Sequence, residues 1–236
     1  MQKQFVISLL LIIWVNPLKA KDFRTNEFLV KNAPSWVKAS KIEKIADRIQ
    51  SQLEWSTRRV PLIWHSHESS FAKVHKLRPM PLAVTIKSPK KTEIHLGPGI
   101  NKKNYAKMIG HELVHVVFFQ KYHGAIPPWL EEGFANHLSK QDPVNYKWLS
   151  KQILPKDVTK MQHPYKQTNI DLHVHYKSSQ ALVEMLKKKC DLSNLLRLSV
   201  ERKMANYIKS YCNIKDINKS FHDWIKRKAL SKNQSI

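Results

Sequence analysis

Two short stretches carry the residue types that chemistry needs. The first is His111-Glu112-Leu113-Val114-His115, inside a run whose apolar positions recur at helical spacing. Histidines at i and i+4 share one helical face, so both imidazoles can reach a single metal ion. Ala106, Ile109, Leu113, Val116 and Val117 fall on the opposite side and would bury against a core. Glu112 projects about 100° round from His111, beside such a metal, where a carboxylate can serve as the base that takes a proton from activated water. The second stretch is Trp129-Leu130-Glu131-Glu132-Gly133-Phe134-Ala135-Asn136-His137. Its adjacent carboxylates point about 100° apart on a helix, so one ion takes one of them and not both.

A hydrolytic zinc site needs three protein ligands and an open fourth position. A third histidine in the metzincin register does not exist here. Phe118 stands where that pattern has glycine, Lys121 stands where it has histidine, and His123 is out of register. The alternative is a glutamate from the next helix, after the break at Gly124 to Pro128. HELVH followed by PxWLxEGFA resembles the gluzincin metallopeptidases, including small peptidase-MA-like proteins. That resemblance implies a zincin-like α+β fold. It implies zinc held by His111, His115 and Glu132, the glutamate next to glycine, with Glu112 as general base. Glu131 is then left as a solvent-facing or substrate-facing acid. Asn136, four residues after Glu132, shares its face and would orient it. Tyr176 heads a segment, YKSSQALV, that looks like the tyrosine-led helix start of the same group; its phenol would donate to the oxyanion of a tetrahedral intermediate. Tyr165, His173 and His175 are rivals for that role. The G-A-M-E-N motif of large aminopeptidases is missing, which favours endopeptidase action.

These residues need elements to position them. Helical periodicity covers 34–56, about 104–120, 129–138, a stretch from Ser178, 193–211 and 217–230, where Ile217, Phe221, Trp224 and Ile225 form one apolar face. Strand patterns occupy 60–64, 82–86 and 92–96; the last, TEIHL, is the natural sheet edge for an extended peptide. Residues 139–172 read as a long irregular connection. All five glycines lie between Gly97 and Gly133, which concentrates unusual backbone geometry near the chemistry. The expected plan is a small mixed sheet with helices and the metal site in 21–138, followed by a mainly helical subdomain in 139–236.

Residues 1–20 have an early lysine, an apolar run from Phe5 to Val15 and Ala20 at the end, which reads as a signal peptide and implies a secreted or periplasmic protein. No later apolar run reaches membrane-spanning length. Cys190 and Cys212 are the two cysteines; a bridge between them suits an exported chain, but spacing alone does not bring them together. The net charge of +23, or +21 after loss of Lys3 and Lys19, favours contact with anionic envelope surfaces. It supports the alternative of a non-catalytic basic protein that binds anionic cell-envelope polymers. No nucleic-acid motif accompanies the charge, so a nucleic-acid partner is disfavoured. The leading expectation is an exported zinc metallopeptidase acting on peptide or protein substrates.

Overall fold

The computed structural model describes residues 20–88, 91–166, 171–198 and 204–231. The proposed signal stretch, except Ala20, and residues 199–203 of the expected 193–211 helix lie outside them.

The protein is α+β, built on a mixed five-stranded sheet. The described residues open with two strands that periodicity alone does not disclose, β1 (Lys21–Arg24) and β2 (Phe28–Ala33). Helix α1 (Ala39–Leu53) follows, burying Ile42, Ile45, Ala46, Ile49 and Leu53 as one stripe. It starts five residues later than expected, because Pro34 accepts a turn bond from Val37 N–H and Lys38 is extended. Strand β3 (Val60–Trp64) and a short helix α2 (Glu68–His75) come next, then β4 (Ala83–Lys87) and β5 (Thr92–Leu96). The strand order is β1-β2-β3-β5-β4. β2, β3 and β5 run parallel, while β4 pairs antiparallel with β5.

This order corrects the expected edge. TEIHL is β5, enclosed between β3 and β4; among the described residues the edges are β1 on the far side and β4 on the side of the site. The alternating polar residues of β5 do not meet water. His95 bonds Glu93 through Nε2 at 3.0 Å and His65 through Nδ1 at 3.0 Å, forming a polar chain on one face of the sheet.

Helix α3 (Tyr105–Tyr122) packs on the sheet and on α1. It ends in left-handed backbone at His123 and Gly124, with φ of 49° and 85°. Pro127 is extended and Pro128 opens α4 (Pro128–Leu138), the position where a missing N–H costs no helical bond. The described residues of the connection after α4 contain a single helical turn, α5 (Tyr146–Leu149), and two 3-10 turns.

Helix α6 (Leu172–Lys187) begins six residues before Ser178, because the Asp171 carboxylate accepts from His173 and Val174 N–H and caps it. Tyr176 therefore sits in the body of a helix rather than at its start. Helices α7 (Leu192–Leu198), α8 (Met204–Ser210) and α9 (Ile217–Leu230) complete the described chain. Phe221 and Ile225 of α9 are fully buried, with Ile217 and Trp224 packed beside them. Cys190 and Cys212 form a disulfide. No helix among the described residues is long and apolar enough to cross a membrane.

The placement of α4 decides the site. Its back face packs on α6, and Gly133 makes this approach possible: a Cβ there would meet the Ser179 carbonyl oxygen at 2.4 Å.

Candidate metal centre

α3 brings His111 and His115 onto one face, and α4, folded back across the Gly124–Pro127 turn, brings Glu132 against them. His111 Nε2 and His115 Nε2 are 3.2 Å apart. Glu132 Oε2 lies 3.5 Å from His111 Nε2, and Glu132 Oε1 lies 3.7 Å from His115 Nε2. All three residues are buried, Glu132 to 2% exposure. Glu132 Oε2 has no hydrogen-bond partner. A buried carboxylate oxygen without a donor, facing two imidazole nitrogens at these separations, is a set that can hold a metal ion.

Electrostatics agree with that description. Burial alone would raise the Glu132 carboxyl, but His115, His111 and His163 outweigh it and hold it at about 2. Burial would lower His115, yet the carboxylates of Glu132 and Glu131 raise it to about 8.

Glu112 is buried and faces the same space. Thr85 Oγ1 of β4 donates to its Oε2 at 2.6 Å, so the edge strand fixes the direction of this carboxylate. Tyr176 reaches the centre from α6, its ring centroid 6.4 Å from that of His111. Burial, with the carboxylates of Glu132 and Glu112 and the neighbouring Tyr165, keeps its phenol protonated far above the ordinary range.

Other expected residues have different partners. The Asn136 amide donates to the Tyr176 carbonyl at 3.3 Å, tying α4 to α6 rather than orienting Glu132. His175 is fully buried and faces the Gln162 carbonyl at 2.8 Å, which removes it as an oxyanion donor. His173 packs against Trp148 at a tilt of 59°, with ring centroids 4.8 Å apart, and lines the outer cleft with Tyr165.

Glu131 is neither solvent-facing nor substrate-facing. Its Oε1 lies 2.6 Å from His115 Nδ1 and 2.6 Å from Lys87 Nζ. One helical step separates it from Glu132, so the two acids take opposite nitrogens of one imidazole. Thr85 is legible only as a position on the expected strand 82–86, and Lys87 falls one residue beyond that expected end, whereas β4 runs Ala83–Lys87. His163, Nε2 3.6 Å from Glu132 Oε1, comes from an irregular stretch with no pattern to reveal it.

Two connected cavities border the centre. The inner one, about 270 Å³, runs beneath β4 past His111, Glu112, His115, Glu132 and His163. The outer one, about 720 Å³, opens at the Ala83 end of β4 between Leu82, Met108, Trp148, Tyr165, His173 and Tyr176. Together they form a cleft along the side of β4 that no described strand pairs, lined by the Glu112 carboxylate, the Tyr176 phenol and the triad that could hold a metal ion. No family model matches the chain, and no curated protein or solved structure does either.

Proposed function

We propose that the protein is an exported, zinc-dependent peptidase of the gluzincin type, zincin-like in fold and acting within peptide chains. The observation that carries this reading is the buried triad His111, His115 and Glu132 with Glu112 held beside it. Ligands about 2.0–2.1 Å from a tetrahedral zinc ion stand about 3.3–3.4 Å apart. The separations of 3.2, 3.5 and 3.7 Å fit that requirement. Bound zinc supplies Lewis acidity, polarising a carbonyl and raising the acidity of a water molecule.

The chain's own residues do the rest. Glu112, directed by Thr85, takes a proton from the attacking water and passes it to the leaving amine. The protonated Tyr176 phenol donates to the oxygen on which negative charge develops. β4 offers unpaired backbone groups to an extended peptide. An added strand in the commoner antiparallel sense would run from the Lys87 end toward Ala83, placing residues after the cut bond at the aromatic outer cleft. Export is supported by the apolar run of residues 5–15 and by the Cys190–Cys212 disulfide, a bond of oxidising compartments.

The experiment is metal analysis combined with digestion of a peptide library. Purified protein should carry about one zinc per chain. Glu112→Gln should keep the metal and lose hydrolysis. Equal cleavage by the variant and the wild type would overturn the mechanism.

A further inference from the structure

One line of contacts joins the sheet edge to the ligand set. Lys87 is the last residue of β4, and its ammonium lies 2.6 Å from Glu131 Oε1. The same oxygen lies 2.6 Å from His115 Nδ1. The Glu131 side chain is 15% exposed, so water competes little for either bond. His111 is held differently, because its Nδ1 is buried with no hydrogen-bond partner.

Accepting a hydrogen bond from Nδ1–H commits His115 to the tautomer whose Nε2 lone pair faces His111 and Glu132. The tautomer and the ring direction are both set from outside the ligand set. Lys87 has a second effect. A free carboxylate one residue from Glu132 would itself be a candidate ligand. Paired with an ammonium and an imidazole, Glu131 is kept on the far side of the ring.

We infer that Lys87 and Glu131 form a clamp that positions His115, so that retention of the metal depends on the terminal residue of the edge strand. Both are positioning residues that act through His115. The inference rests on metal binding at His111, His115 and Glu132, and the test separates the two.

The test measures zinc affinity of the full exported chain by competition with a chromophoric chelator, alongside the visible spectrum of the cobalt(II)-loaded protein. Glu131→Ala should weaken zinc about 10- to 100-fold, the usual cost of losing such a partner. It should also alter the cobalt spectrum while the metal-free protein melts as wild type does. Glu131→Asp should recover part of the loss. Lys87→Met should weaken zinc severalfold alone and add nothing in the Glu131→Ala background, because its effect passes through that carboxylate. Wild-type-like affinity in Glu131→Ala, or additive losses in the double variant, would overturn the clamp while leaving the metal site intact. A wild type that binds no zinc would overturn the metal site itself.

Discussion

Gly133→Ala sets two effects of opposite sign against each other. In a helix interior, alanine is favoured over glycine by about 1 kcal/mol. Packing opposes this. The new Cβ would stand 2.4 Å from the Ser179 carbonyl oxygen, 2.6 Å from Val183 Cγ2 and 3.0 Å from the Ser179 carbonyl carbon. Two of these three atoms belong to the backbone of α6, which cannot turn aside as a long side chain can. Reaching an ordinary contact means separating α4 and α6 by more than half an ångström, along an interface that includes the buried residues Ser179 and Val183 and the bond from Asn136 to the Tyr176 carbonyl. Overpacking of a close-packed core costs about 1–3 kcal/mol, and a rigid partner places this case at the upper end. The net expectation is a loss of about 2 kcal/mol after the propensity gain is subtracted. For a chain of this size that lowers Tm by about 4–8 °C. Thermal unfolding of the metal-free protein, followed by circular dichroism, measures it. Because Gly133 follows Glu132 directly, zinc affinity should fall as well. An unchanged or raised Tm would mean that helix propensity prevails, and would refute the argument from close approach.

Further expectations concern the base and the disulfide. Thr85→Val keeps the shape of the strand but removes the 2.6 Å donor to Glu112 Oε2, a bond to a charged group worth about 1.5–3 kcal/mol. Peptide cleavage should fall at least about tenfold in kcat/KM, with zinc content unchanged; activity within a factor of two would show that Thr85 does not direct Glu112. The Cys190–Cys212 bridge spans a sequence separation of 22, for which loop-closure entropy gives about 3 kcal/mol. Urea unfolding of the double serine variant should show that loss, and a midpoint equal to wild type would remove the bridge from the account of stability.

The candidate metal centre is legible in part because the pairing of its two histidines is local, while the choice of Glu132 over Glu131 rests on the resemblance. His111 and His115 share a face through helical periodicity alone, and Pro127-Pro128 announces the start of α4. The pairing of residues far apart in sequence was not. Nothing in LAVTI and TEIHL says which strand is outermost, since register and order are set by packing across the sheet. The polar positions Glu93 and His95 suggested an exposed strand, whereas they bond one another and His65. β1 and β2 escaped notice because KDFR is largely charged and FLVKNA is short. α2 escaped because it buries one side chain, Phe71. Glu131 reads in sequence as a solvent-facing or substrate-facing acid because its partner, Lys87, belongs to a strand 44 residues away. Tyr176 was found in the right neighbourhood for the wrong local reason, since Asp171 starts its helix earlier.

The side of β4 that no described strand pairs has a consequence for the protein's behaviour in concentrated solution. An unpaired strand edge is a template for any extended chain, including a frayed segment of a second copy, and such edges are where aggregation begins. A net charge of +23 makes copies of this chain repel one another at long range, more strongly as ionic strength falls. The lysine surface thus acts as colloidal protection. It holds like molecules apart while leaving the edge open to chains that carry less positive charge.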